Sequence, residues 1–139
     1  MKILKVKTDK RAQGNEGEAA ATKFLKKLGY KIIERNYVAL GYEIDIIAES
    51  RDAIAFVEVK SKMTDSSSML PRPASLVTPE KQRKIITAAK YYIGGHPTDK
   101  KINLDVIEVY FKKVDGKRAV ENIIHMECAY NLNTARERR

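Results

Sequence analysis

The sequence predicts an α/β fold in which helices flank a mixed sheet, and three observations carry that reading. Apolar residues recur at helical spacing over residues 9–28 and again over 79–93. Between these stretches lie three apolar runs joined by short connections, the pattern of a meander of antiparallel neighbours. The second helical stretch then parts the meander from later β-like runs, as a crossover returning the chain to the same sheet does.

Residues 1–10 alternate Lys with Ile, Leu and Val and are expected to form a basic arm or a short extra strand. In the first helix Ala12, Ala20, Phe24, Leu25 and Leu28 fall near one face, and Gly29 supplies a stop. Residues 31–38 read as a strand. Residues 42–48 and 53–60 read as two more, joined by a polar turn at 49–52. Side chains alternate across a strand, so Ile54, Phe56, Glu58 and Lys60 share one face and Ala55, Val57 and Val59 the other. By the same rule Ile44 and Ile46 are expected on one face, with Glu43, Asp45 and Ile47 opposite. Residues 61–77 hold a run of serines and two prolines without periodicity, and exceed an ordinary connection. Thr78-Pro79 is an N-cap followed by a first-turn proline. The helix over 79–93 should bury Ile85, Ile86, Ala89 and Ile93, show Lys81, Arg83, Lys84 and Lys90 to solvent, and end at Gly94-Gly95. Residues 103–111 form a strand, Asp115-Gly116 a hairpin turn, and 118–125 the last strand. The polar end, 132–139, should fray. Without a repeat or a composition break, residues 1–139 read as one domain.

Charge narrows the partners. Lys and Arg total 27 against 18 Asp and Glu, a formal net charge of +9. Such an excess favours polyanions by counterion release and long-range steering. The lone cysteine, Cys128, excludes an intramolecular disulfide and a cysteine zinc cluster, and is expected to be buried and inert. No stretch reaches the ~20 apolar residues of a membrane span, and residues 1–11 lack the apolar core of a signal peptide. A cytoplasmic protein without a membrane partner is expected.

The runs Glu43-Ile44-Asp45 and Phe56-Val57-Glu58-Val59-Lys60 carry chemistry. If Asp45 and Glu58 lie on adjacent antiparallel strands, their carboxylates converge at the end of an apolar face. A cation would offset their repulsion. Hard oxygen donors suit Mg²⁺ or Mn²⁺, with the Val59 carbonyl as a third ligand. Lys60, on the face of Glu58, can reach an attacking water, and a divalent cation nearby would depress its pKa toward that of a base. Glu-x-Lys by itself is common on solvated strand edges; the apolar approach and Asp45 distinguish this one. Lys62, Arg72, Lys81, Arg83 and Lys84 are candidate phosphate contacts. Glu16 and Glu43 read as surface residues, Asp105 as one half of a structural pair with a basic residue, His96 as exposed and His125 as a strand-end residue.

Taken together, Gly14-x-x-Gly17-Glu18, Glu34-Arg35-Asn36, Glu43-Ile44-Asp45-Ile46-Ile47-Ala48, Phe56-Val57-Glu58-Val59-Lys60 and Thr78-Pro79-x-Lys81-Gln82 resemble the YraN-like family of predicted bacterial endonucleases (uncharacterised protein family 0102). That family is similar to archaeal Holliday-junction resolvases and to the wider restriction-endonuclease-like superfamily. The resemblance spans about residues 14–131. It implies a restriction-endonuclease-like core ordered helix, three-strand meander, helix, strand. It also implies a metal-dependent nuclease acting on DNA, with branched or repair-intermediate forms among its substrates. Glu18, Asp45, Glu58 and Lys60 would be the catalytic set, with Glu18 joining the metal ligands on the resemblance alone. A homodimer would suit two symmetric cuts. The alternative is a non-catalytic nucleic-acid-binding module of a repair or recombination assembly. The chain departs from the family pattern at two places. Tyr42 stands where Gly usually precedes the Glu of Glu-Ile-Asp, and Val38 stands where a basic residue commonly follows the Asn-aromatic pair.

Overall fold

A computed structural model describes residues 2–64 and 77–132, with side chains from residue 9 onward. Helix α1 (Lys2–Lys27) leads into strands β1 (Lys31–Ala39), β2 (Tyr42–Glu49) and β3 (Ala53–Met63). Helix α2 (Pro79–Gly95), β4 (Lys101–Val114) and β5 (Lys117–Tyr130) follow. The five strands form one sheet in sequence order. Neighbours are antiparallel except β3 and β4, which run parallel because α2 carries the chain back between them. The expected mixed sheet is therefore present.

The start of the chain corrects the reading of an arm or strand over residues 1–10, since α1 is already helical from Lys2. Lys and Leu are good helix formers, and a helix nucleated downstream extends by one hydrogen bond per residue added. Gly29, at φ +95°, ends it, while Tyr30 N–H donates to the Leu25 carbonyl at 3.0 Å. Thr78 caps α2 by accepting the Lys81 N–H at 3.2 Å, with Pro79 in the first turn. The expected tail at 132–139 lies, beyond residue 132, outside the described residues.

The central strands β2, β3 and β4 are buried on both faces, while the edge strands β1 and β5 are largely exposed or half-buried. On one face α2 sets Ile85, Ile86, Ala89 and Tyr92 against Ile44, Ile47, Phe56, Leu104 and Val106. On the other, Ala21 and Leu25 of α1 pack on Ile46, Ala48, Val57, Ile107 and Val109. Two expectations change here. Leu28 is exposed because α1 ends at Lys27, one residue before it, and Ala21 within the helix takes a core position. Ile44 and Ile46 belong to opposite cores, so strict alternation fails between them. The β2–β3 ladder stops at Ile46–Val57, and beyond it the Asp45 carboxylate accepts the Val59 N–H at 2.8 Å. A side chain there replaces a ladder bond, and the face assignment resets at Asp45.

The long β4–β5 hairpin extends past the expected strand ends on both sides and turns at Asp115-Gly116, both at positive φ. At its far end Asp105, fully buried, accepts from His125 Nε2 at 2.8 Å and from the Cys128 N–H at 2.9 Å. Asp105 therefore has the structural basic partner that the sequence led us to expect. His125 is not a mere strand-end residue, because it supplies that partner. Cys128 is exposed rather than buried, with Sγ 3.2 Å from Asn103 Oδ1. No helix among the described residues is long and apolar enough to cross a membrane.

Candidate functional site

Asp45 and Glu58 do converge. Both line one cleft of about 460 Å³, walled by Tyr42 and Glu43 of β2 and by Thr78, Lys81 and Ile85 of α2. The antiparallel pairing of β2 with β3 brings the two carboxylates together, and the cap of α2 lays its first turn across them. Burial raises the Asp45 carboxyl to about 7, reinforced by the Glu58 charge and opposed by the Val59 N–H. The Glu58 side chain is only 7% exposed, and its Oε1 lies 2.8 Å from Lys81 Nζ. Burial acts to lower the Lys81 ammonium, but the hydrogen bond and charge of Glu58 outweigh it and hold the pKa above its usual value.

Glu18 stands apart from the cleft lining. It projects from α1, with Arg35 Nη2 at 3.7 Å from its Oε1, and is 17% exposed. Burial raises its pKa, Arg35 and an Asn36 hydrogen bond counter this, and Glu43 and Glu58 push it up again. Glu18 therefore shares one acidic field with Glu43, Asp45 and Glu58. A close approach sets its place: a Cβ on Gly17 would lie 2.7 Å from Ser61 Cβ, and Gln13 Nε2 donates to the Ser61 carbonyl at 3.1 Å. Only a glycine lets α1 come this near β3.

Lys60 is half-buried on β3, in register with Glu108 of β4, and is not among the described residues lining the cleft. Lys62 lies further along, opposite Tyr110. Lys84 lines the cleft, and a shallower depression beside it is formed by Tyr42, Glu80, Arg83, Lys84 and Thr87. Arg72 lies outside the described residues. Glu16 is a surface residue as expected, held by Arg118 at 2.6 Å. Glu43 is likewise exposed, as expected, and also lines the cleft.

Two features of the first turn of α2 go beyond the sequence reading. Lys81, exposed to solvent as expected, also supplies the counter-charge of Glu58. Gln82 beside it is buried; its Nε2 donates to the Val77 carbonyl at 2.8 Å, and its Oε1 has no hydrogen-bond partner among the described residues. The Thr78-Pro79 cap could have signalled both, because it fixes which residues occupy the first turn.

The profile of uncharacterised protein family UPF0102 matches residues 17–109, across the cleft and the sheet beneath it. The chain belongs to this family. A UPF0102 protein of Acetivibrio thermocellus is 41% identical over 127 residues, covering 89% of this chain and 95% of its own. One from Chlorobium phaeobacteroides is 42% identical, covering 69% of this chain and 75% of its own. One from Clostridium perfringens is 44% identical, covering 70% and 79%. These likenesses name no activity.

Proposed function

We propose that this UPF0102 protein is a metal-dependent nuclease that hydrolyses phosphodiester bonds of DNA. The observation that carries the reading is the convergence of Asp45 and Glu58 in a cleft whose rim bears Lys81 and Lys84, on a chain of net charge +9.

The donor set fits a hard divalent cation. Two carboxylates crowd together, burial and mutual repulsion lift one of them, and a lysine ammonium stands in as the cation against the other. Among the described residues no three His, Cys, Asp or Glu side chains gather closely enough to hold a metal. Mg²⁺ commonly binds through one or two carboxylates and completes its shell with water and substrate phosphate, so two suffice. When bound, Mg²⁺ or Mn²⁺ would stabilise charge on the scissile phosphate and acidify a coordinated water.

The remaining roles fall to the chain itself. The Val59 N–H holds one oxygen of the Asp45 carboxylate, which lines the cleft, and so fixes its orientation. Lys81, released from Glu58, would meet the phosphate. Lys84 and Arg83 extend positive charge along the rim toward flanking phosphates. Lys60 lies two residues, roughly 7 Å, beyond Glu58, within reach of the attacking water for a long side chain. Glu18 would act through the shared acidic field. The same reading expects a DNA partner, with branched or repair-intermediate forms and a homodimer as its further elements.

A cleavage panel of linear, flapped and four-way DNA with Mg²⁺, Mn²⁺ or chelator tests it. Metal-dependent cutting should vanish in Glu58→Ala while DNA binding survives. A second reading, a binding module without catalysis, draws on the Lys81–Glu58 pair, which satisfies Glu58 without any metal. It predicts DNA binding with no metal-dependent cutting in either protein.

A further inference from the structure

The β1–β2 and β4–β5 hairpins turn in the same way but with different residues. Asp115 and Gly116 sit at φ 52° and 77°, and Leu40 and Gly41 at φ 54° and 80°. Two consecutive positive φ values in a two-residue loop define the tight turn that favours Asn-Gly or Asp-Gly. The β4–β5 hairpin obeys that preference. The β1–β2 hairpin instead places a leucine in the left-handed region, where a bulky side chain is strained by about 1 kcal/mol or more.

Folding does not account for that leucine. It is 63% exposed, and so contributes little to the core. Val38, two residues earlier, is 62% exposed. Two large apolar side chains therefore project at one tip. Gly41 and Tyr42 of the same tip line the carboxylate cleft, and the Lys84 ammonium stands 6.0 Å over the Tyr42 ring. The patch is far smaller than the ~800 Å² per partner that a stable protein interface buries. In the first turns of α2 Lys81, Arg83 and Lys84 outnumber Glu80, and this excess of positive charge complements a polyanion.

We propose that Val38 and Leu40 form an apolar wedge that packs against base faces where the stacking of a DNA duplex is interrupted, which makes them specificity-determining residues. The proposal rests on the nuclease reading above and deepens it by naming the substrate feature recognised. Valine and leucine cannot hydrogen-bond to base edges in a groove, and an unbroken stack hides its base faces. A nick, flap or junction exposes those faces to an aliphatic wedge. Leu40 lies five residues before Asp45, at most about 17 Å along the chain, which places the break within about five nucleotides of the Asp45 carboxylate.

The test separates this proposal from the nuclease reading by measuring binding in chelator, where nothing is cut. Anisotropy at fixed salt would compare continuous, nicked, flapped and four-way DNA, with 2-aminopurine beside the break as a stacking probe. The wild type should favour interrupted DNA by on the order of tenfold. Val38→Ser and Leu40→Asn should erase that preference and the 2-aminopurine response while keeping affinity for continuous duplex. Leu40→Asn suits the turn, so an unchanged or higher melting temperature serves as the folding control. An undiminished preference in both variants overturns the wedge. So does a wild type that binds every form equally, and in that case metal-dependent cutting would still support the nuclease reading. A wild type that binds no DNA overturns both. A change of oligomeric state in Leu40→Asn by sedimentation, with DNA preference intact, makes the tip a self-association patch and also overturns the wedge.

Discussion

The ammonium of Lys81 lies 2.8 Å from the Glu58 carboxylate, so the first turn of α2 supplies the positive charge that the β2–β3 carboxylates call for. Removing it should have two effects of opposite sign. Lys81→Met leaves Glu58 buried beside Asp45 without compensation, and should cost about 1 kcal/mol, since Lys81 itself is half exposed to screening water. Mn²⁺ binding, freed from a competing cation, should tighten by on the order of tenfold. Denaturant melts and titration calorimetry check the pair of effects; weaker Mn²⁺ binding in the variant would refute the role of Lys81 as resident counter-charge.

Asp45 makes the cation-free protein sensitive to pH. Its carboxyl, ordinarily at 3.8, is raised to about 7 in the fold, first by burial and then by Glu58. From about pH 4 to 7 the unfolded chain loses this proton while the folded one keeps it. Stability therefore falls as pH rises through that window and levels off above it. Glu18, raised by burial, adds to the same trend. Asp45→Asn should flatten the curve and, at pH 8, stabilise the protein by on the order of 1 kcal/mol after allowance for solvent screening. Melting temperature against pH, in chelator, measures it.

Gly17 is a packing constraint with a built-in rescue. A methyl group there meets Ser61 Cβ at 2.7 Å. Gly17→Ala should cost about 1–3 kcal/mol as α1 is pushed from β3. Adding Ser61→Gly removes the obstructing carbon and should recover most of that loss. A double-mutant cycle by chemical denaturation shows the coupling.

Asp105 and His125 form the structural counterpart of the cleft pair. Asp105 is fully buried and accepts from both His125 Nε2 and the Cys128 N–H. Asp105→Ala leaves both donors unanswered and should destabilise by about 2–4 kcal/mol. It stands on the α1 side of the sheet, away from the cleft lining, so DNA binding by the folded variant should persist. Equilibrium unfolding and anisotropy read the two effects separately.

Much of the architecture could be read from local pattern. The alternation around Phe56 and Glu58, the Thr78-Pro79 cap and the Asp115-Gly116 turn depend on neighbours a few residues apart, and strand and helix periods record them directly. Residues 1–10 misled because alternating Lys and aliphatic residues suit a strand, while propagation from an established helix overrides that pattern. Ile44 and Ile46 misled because the Asp45 side chain, by taking a backbone N–H of β3, breaks the alternation on which face assignment depends.

The chain by itself determined the order of elements, the excess of positive charge and the pairing of an acidic strand end with Glu-x-Lys, since each is a property of residues close in sequence. Only the tertiary structure decided that Lys81 rather than Lys60 faces Glu58, that Glu43 joins the cleft while Glu18 stands off it, and that His125 answers Asp105. Those relations join residues on different elements, and their distances follow from strand register and helix docking, which no local period encodes.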